Sequence, residues 1–188
     1  MTAPRSWGRV AISAVVFDVV WGLSALLAGR GHWAAGAGVA VLGGAAHAWL
    51  ARADRRLLAR VLIVAAIGTS VDLALIRAGA FSFAVATPIA AAAWFAGLWL
   101  HFAPSVALLF RWLAPRLWLA ALLGAAAGPF AYWVASRLGA VRLEASWSLP
   151  VIAAAWAILF PFAVRMLVLT PAAARGTSSA GPGSGAPR

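Results

Sequence analysis

The sequence has no cysteine and no lysine, and its 188 residues include only four carboxylic acids, three histidines and one tyrosine. Without cysteine, the chain forms no disulfide and no thiolate metal site. The three histidines lie on separate segments without metal-ligand spacing, which argues against a zinc or di-iron site. Glycine loops for phosphate, nucleophile elbows and paired helical carboxylates are also missing. Few groups capable of chemistry remain, and no metal or cofactor is predicted.

Apolar residues are abundant instead. They make up 64% of the chain and charged residues only 10%, with a mean hydropathy of +0.94. Soluble domains carry about 45–50% apolar and about 25% charged residues. A domain of this size cannot hide the excess in its core, because about a third of its surface stays exposed. The composition therefore excludes a soluble fold and indicates that lipid surrounds most of the chain.

The net charge of +11 comes from fifteen arginines. In a soluble protein, such an excess would indicate nucleic-acid binding. Here the arginines separate apolar runs of about 20 residues, which is typical of multi-pass membrane proteins. We therefore expect membrane lipids, and no nucleic acid, as partners.

The apolar runs predict an all-α bundle of six transmembrane helices, since a helix needs about 20 apolar residues to cross a bilayer. The predicted spans are about 10–29, 33–51, 58–77, 88–112, 115–136 and 147–169. Span four could include a re-entrant piece before Pro88, because residues 81–110 carry no charge. We expect residues 1–170 to form one membrane domain. Residues 171–188, rich in Pro, Ala, Gly and Ser, are predicted to be a disordered cytoplasmic tail.

The arginines also predict an orientation, because arginine-rich loops stay in the cytoplasm. Eleven fall on one side of a six-span bundle: Arg5, Arg9, Arg52, Arg55, Arg56, Arg60, Arg111, Arg116, Arg165, Arg175 and Arg188. Four fall on the other: Arg30, Arg77, Arg137 and Arg142. We therefore predict a bacterial cytoplasmic (inner) membrane protein with both termini in the cytoplasm. Arg55 and Arg56 are expected to meet anionic lipid headgroups, or alternatively a phosphate-bearing substrate.

Two carboxylates, Asp18 and Asp72, lie within predicted spans. An aspartate near the bilayer centre costs about 2.5–3.5 kcal/mol on insertion scales, so such residues usually have a partner or a role. Asp18 and His101 fall at the same depth, and Asp72 lies within reach of Arg77. His47 falls one turn from the cytoplasmic end of span two. Three interpretations are open. The polar groups form structural pairs between helices, an aspartate titrates in a proton-coupled carrier, or Asp and His act as acid and base in a membrane enzyme or binding protein for a lipid.

Small residues and tryptophans within the spans predict packing or pocket sites. Helices in membranes approach closely at small residues, and span two has such a stripe at Gly36, Ala40, Gly44 and Ala48. Span five continues the pattern to Gly128, where Pro129 frees a backbone carbonyl for a kink or for a ligand. Five tryptophans inside spans either pack against neighbours and lipid or line a pocket: Trp21, Trp94, Trp99, Trp133 and Trp156.

Several motifs resemble a bacterial family of small inner-membrane proteins known as domain of unknown function 2878. They are Phe17-x-x-x-Trp21, Ala46-His47-Ala48-Trp49-Leu50 with Asp54-Arg55-Arg56, Gly68-x-x-x-Asp72, Gly79-Ala80-Phe81-Ser82-Phe83 with Pro88, Leu98-Trp99-x-x-Phe102-Ala103, Gly124-x-x-x-Gly128-Pro129-x-x-Tyr132 and Arg137-Leu138-Gly139-Ala140. The resemblance covers about residues 17–142. It implies an inner-membrane location and no established activity. Carried over by position, the resemblance makes five residues candidates for the site: His47, Asp72, Gly128, Pro129 and Tyr132.

The leading functional hypothesis is a bundle that binds or carries a lipophilic or lipid-derived molecule near Asp72, Tyr132 and the break at Pro129. One alternative is a lipid-modifying membrane enzyme. Another is an assembly partner of a membrane protein or of a second copy of the chain, with the small-residue stripe of span two as its contact.

Overall fold

The computed structural model describes residues 7–83 and 87–169. Its long helices are α1 (Trp7–Gly29), α2 (Trp33–Leu50), α3 (Arg55–Arg77), α4 (Pro88–Leu109), α5 (Leu117–Arg137) and α6 (Ser148–Val164). The strands are β1 (Phe81–Phe83) and β2 (Val141–Leu143), a 3₁₀ turn (Arg111–Leu113) follows α4, and a π-helical turn (Arg165–Leu169) extends α6. Within the described ranges, six helices are long and apolar enough to cross a membrane. The prediction of an all-α, multi-pass membrane bundle is therefore confirmed.

Capping residues determine where two of the helices begin. The Asp54 side chain accepts a hydrogen bond from Leu57 N at 2.8 Å, so α3 starts at Arg55, three residues earlier than predicted. Thr87 caps α4 through Ala90 N, and Pro88 occupies the first turn, where a missing N–H costs nothing.

Span four is a single helix. From Pro88, α4 continues through Pro104 to Leu109, and the strand β1 occupies residues 81–83 of the uncharged stretch before it. A strand forms there because Phe81–Phe83 pairs with Val141–Leu143 from the loop between α5 and α6. The described residues before Pro88 thus form a strand in place of the suggested re-entrant piece.

The unit α3–β1–α4 recurs 60 residues later as α5–β2–α6. Its first helix ends at Arg77 and the second copy ends at Arg137. Both ends are followed by a glycine with positive φ, 78° at Gly79 and 82° at Gly139, which closes the helix in the left-handed region. In the antiparallel ladder, Ser82 faces Arg142, its equivalent in the second copy. A local two-fold axis therefore passes between the two paired strands.

The two ends of the bundle differ. The strands lie at one end, called here the strand end, together with the α1–α2 turn, since Gly29 contacts the backbone of Leu138. The loops 51–54 and 110–116 lie at the opposite end, called the arginine end. Because the number of helices is even, α1 begins and α6 ends at the arginine end.

Small residues let the helices approach closely. A Cβ added to Gly36 would lie 2.7 Å from the backbone carbonyl oxygen of Ser24 in α1. A Cβ added to Gly44 would lie 2.9 Å from the backbone carbonyl carbon of Leu100 in α4. Gly124 approaches α6 in the same way, since a Cβ added to it would lie 2.9 Å from Phe160 Cβ. The stripe of α2 thus makes contacts within the chain at Gly36 and Gly44, and the assembly-partner hypothesis stays a prediction.

The predicted tail at 171–188 lies outside the described residues, as do Arg5, Arg175 and Arg188. The tail and the single-domain organisation therefore stay predictions.

Candidate functional site

An elongated cavity of about 390 Å³ lies inside the bundle and is lined by parts of α1, α3, α4, α5 and α6. Small-molecule pockets have volumes of about 300–1,000 Å³. Along α4 the lining extends from Trp94 to Phe110, a distance of about 24 Å at 1.5 Å per residue. The cavity is therefore long and runs parallel to the helices.

The cavity opens between α1 and α5. At the strand end these helices touch, because Gly29 contacts the backbone of Leu138. Further towards the arginine end, the exposed residues of the lining are Asp18 on α1 and Ala127 and Phe130 on α5. Since both helices cross the membrane, this mouth faces the lipid from the side. Asp18 is the central residue of α1 and therefore lies at the mouth near mid-membrane.

Asp72 is the centre of a polar cluster at the strand end of the cavity. It is 2% exposed, and its carboxylate accepts a hydrogen bond from Trp99 Nε1 at 2.7 Å and another from the Tyr132 hydroxyl. Tyr132 lies 60 residues after Asp72, at the equivalent position of the second repeat unit. Each carboxylate oxygen is thus held by a neutral donor from another helix.

The prediction that Asp72 pairs with Arg77 was wrong. Arg77 is exposed at the end of α3, five residues after Asp72. Five residues turn a helix by about 140°, so the two side chains leave α3 in different directions. Asp72 points into the bundle, where Trp99 and Tyr132 meet it.

Two tryptophans complete the cluster. Trp99 and Trp156 stack with ring centroids 5.2 Å apart and an interplanar angle of 18°. Trp99 lies against Gly68, and Trp156 lies against Gly128, where an added Cβ would be 2.6 Å from Trp156 Cδ1. Glycines four residues before Asp72 and Tyr132 therefore make room for the two rings.

The Nε1 atoms of these tryptophans differ in their partners. Trp99 Nε1 donates to Asp72. Trp156 Nε1 is shielded and lies beside the Tyr132 hydroxyl, which donates its own hydrogen to Asp72.

His47 and His101 form a separate buried pair with ring centroids 4.9 Å apart. The two ring nitrogens of His47 lie 2.9 Å from Gly43 O and 3.0 Å from Ser13 O. His101 stacks on Phe17 and its Nε2 lies 3.2 Å from the Phe17 carbonyl oxygen. Asp18 and His101 both line the cavity, but the described hydrogen bond of His101 goes to the Phe17 carbonyl and not to Asp18. The pair ties α1, α2 and α4 together.

The other residues predicted as site candidates are Gly128, Pro129, Arg55 and Arg56. Gly128 contacts the Trp156 ring. Pro129 is half-buried within the continuous helix α5 and is not among the residues described as lining the cavity. Arg55 and Arg56 are exposed at the arginine end, so their contact with headgroups stays a prediction.

Aromatic side chains form most of the site, and the sequence identified only part of them. Four of the five tryptophans within the spans line the cavity, namely Trp21, Trp94, Trp99 and Trp156, whereas Trp133 is 47% exposed. The 60-residue repeat could have identified the cluster, because it aligns Gly68 with Gly128 and Asp72 with Tyr132.

The family model described as a protein of unknown function, DUF2878, matches residues 10–162. The chain belongs to this family. Comparisons with curated proteins and with solved structures gave no match. The DUF2878 match confirms the resemblance and includes all the residues that line the cavity.

Proposed function

We propose that this DUF2878 protein binds or carries a lipophilic, lipid-derived molecule in the cavity between α1 and α5. The observation that carries the proposal is an apolar cavity with a lateral mouth on the lipid side of the bundle. Its lining contains eleven aromatic residues: Phe17, Trp21, Trp94, Phe95, Trp99, Phe102, Phe110, Phe130, Tyr132, Trp156 and Phe160. A ligand can enter such a site from the bilayer without crossing water.

The hydrogen bonds of the polar groups favour binding over catalysis. Asp72 accepts from two protein donors, and both histidines bond to backbone carbonyls. These hydrogen bonds hold helices together, whereas a catalytic acid–base pair has to reach its substrate. The alternative, a lipid-modifying enzyme, is distinguished by comparative lipid mass spectrometry of a deletion strain and its complemented partner. Only an enzyme leaves a defined lipid missing or accumulated.

Blocking the mouth should prevent the ligand from binding. Ala127 lines the mouth, whereas its neighbour Ala126 is exposed and lies outside the lining. We expect Ala127→Trp to lower labelling by a photoreactive alkyl-diazirine lipid at least about fivefold, because the indole fills the mouth and pocket ligands need most of their surface buried. Quantitative mass spectrometry of labelled peptides in membranes measures the change.

Ala126→Trp is the matched control, since it adds the same ring on the lipid-facing side of α5. Its labelling should equal that of the wild type. Equal labelling of the two variants at the cavity peptides would contradict binding in the cavity.

We further propose that the protein lies in the bacterial inner membrane with both termini in the cytoplasm. The described arginines support this orientation. Eight belong to the arginine end: Arg9, Arg52, Arg55, Arg56, Arg60, Arg111, Arg116 and Arg165. Four belong to the strand end: Arg30, Arg77, Arg137 and Arg142. Cytoplasmic loops carry the larger share of arginine.

A C-terminal fusion tests the orientation. We expect alkaline phosphatase, which is active only in the periplasm, to be inactive when fused after residue 188, while a fluorescent protein at the same place is bright. A phosphatase fused within the α3–α4 loop at the strand end serves as the control and should be active. Active phosphatase at the C-terminus would reverse the proposed topology.

A further inference from the structure

The buried pair of His47 and His101 meets more acceptors than two neutral rings can serve. His47 Nδ1 lies 2.9 Å from Gly43 O, and His47 Nε2 lies 3.0 Å from Ser13 O. His101 Nε2 lies 3.2 Å from Phe17 O. A carbonyl oxygen only accepts, and a neutral imidazole has one N–H and one bare nitrogen. Two neutral rings therefore leave at least one bare nitrogen facing a carbonyl oxygen.

The described surroundings offer such a bare nitrogen no donor. The fourth ring nitrogen, His101 Nδ1, also lies beside the backbone of Gly43, and the described residues give it no hydrogen-bond donor. Both rings are fully buried, so water does not supply the missing hydrogen bond. One added proton removes the mismatch, because three N–H groups then face three carbonyl oxygens.

The position of His47 gives this proton a source. His47 is three residues from Leu50, the last residue of α2, which places it about 4.5 Å along the helix axis from the arginine end. On the helices packed against it, the titratable groups among the described side chains are Asp18 of α1 and His101 of α4. A charge on Asp18 favours the added proton, whereas a positive ring whose centroid is 4.9 Å away opposes a second one. The pair is therefore suited to one proton.

We propose that the pair of His47 and His101 binds one proton and that this proton controls how α1 is held at the mouth of the cavity. The proton adds to the bare nitrogen of His47, and no other bond breaks. The imidazolium then donates to Gly43 O and Ser13 O, while neutral His101 donates to Phe17 O. The proton site is independent of the proposed function, whereas its control of the mouth rests on that function.

The pair controls α1 because it bonds to the backbone of that helix. Ser13 and Phe17 are one turn apart, in the half of α1 nearer to the arginine end. The other described side-chain hydrogen bonds between α1 and another helix are made by Ser24, nearer to the strand end. When the proton leaves, His47 either loses Ser13 O or turns its bare Nδ1 away from Gly43 O. Either change alters the hold on α1 at the level of the mouth.

Nitrogen NMR of the full chain in lipid bilayers tests the proton site directly. The chain has three histidines, and the exposed His32 is an internal reference for a ring in water. Imidazole nitrogen shifts distinguish an N–H from a bare nitrogen. From about pH 8 to about pH 5, the range in which histidine titrates, we expect His47 to change from one N–H to two while His101 keeps one. A His47 ring with the same number of N–H groups throughout would overturn the proposal.

Two variants identify the groups responsible. His47→Gln keeps a neutral N–H donor and takes up no proton in this range, so its spectrum should lack the titrating buried ring. Ser13→Ala removes the buried Ser13 hydroxyl and keeps the backbone carbonyl that faces His47. In this variant His47 should titrate as in the wild type. If Ser13→Ala abolished the titration, the hydroxyl would be responsible and the argument from three carbonyl oxygens would fail.

Spin labels test the effect on the mouth, because the chain has no cysteine of its own. Labels are attached to cysteines that replace Val15 on α1 and Leu122 on α5, which are both exposed. We expect their separation, measured by double electron–electron resonance, to increase by about 1–2 Å as the pH rises, the size of a typical helix shift. His47→Gln should abolish the increase. A matched pair at Leu23 and Trp133, nearer to the strand end and also exposed, should keep its separation.

Three results would overturn the control of the mouth: no change in the wild type, the same change in His47→Gln, or equal changes at both label pairs. Neither measurement uses a lipophile. A failure here is therefore distinct from a failure of the proposed function, which the labelling of Ala127→Trp tests.

Discussion

Replacing Gly44 by leucine is expected to prevent the bundle from folding, whereas the same replacement at Gly38 in the same helix should be tolerated. A Cβ at Gly44 would lie 2.9 Å from the carbonyl carbon of Leu100 and 3.2 Å from the Cα atom of His101. These are backbone atoms of α4, which cannot move aside as a flexible side chain can. Overpacking a core already costs about 1–3 kcal/mol, and separating two helix backbones should exceed that range.

Fluorescence-detected size-exclusion chromatography of detergent extracts measures this effect. Gly44→Leu should lose the monodisperse peak, and Gly38→Leu should keep it, because nothing lies within 4 Å of an added Cβ there. A stable Gly44→Leu protein would show that α2 and α4 are not in backbone contact at this position. Gly44→Ala is the milder step and should give an intermediate loss of thermal stability.

Asp72→Ala is expected to have the second large effect on stability. The replacement leaves the Trp99 N–H and the Tyr132 hydroxyl without the acceptor that now holds them. Each buried donor without a partner costs about 1–3 kcal/mol. We therefore expect a clear drop in the unfolding midpoint, measured by thermal denaturation of the purified protein.

Asp72→Asn separates hydrogen bonding from charge. The amide oxygen can accept from Trp99, and the amide NH₂ can donate to the Tyr132 hydroxyl, which both donates and accepts. We expect this variant to lie within about 1 kcal/mol of the wild type, the net value of a typical hydrogen bond. If asparagine destabilised the protein as much as alanine does, the negative charge would be the essential property of Asp72.

The spans were predictable because hydropathy is a local property. The arginines and the helix caps lie at the ends of the apolar runs, so the ends of α2 and α3 came within a few residues of the prediction. The short strands were missed, because each has only three residues and exists only through its partner 60 residues away.

The site was predictable only in part. A buried carboxylate needs partners, which identified Asp72, but the partners themselves come from α4 and α5. The sequence suggested Arg77 because it is close along the chain, whereas Trp99 and Tyr132 are 27 and 60 residues away. Distances along one helix follow from its pitch. Contacts between helices depend on how small residues such as Gly68 and Gly128 let them cross.

The sequence by itself therefore determined that lipid surrounds most of this protein, how many membrane helices it has, and which few polar residues needed partners. Those properties depend on composition and on the order of apolar and charged residues. Only the tertiary structure decided that the two repeat units meet at Asp72 and Tyr132, that Trp156 stacks on Trp99 beside them, and that the cavity opens to the lipid between α1 and α5. These features arise from the packing of helices that are far apart in the chain, and local sequence does not encode packing at that range.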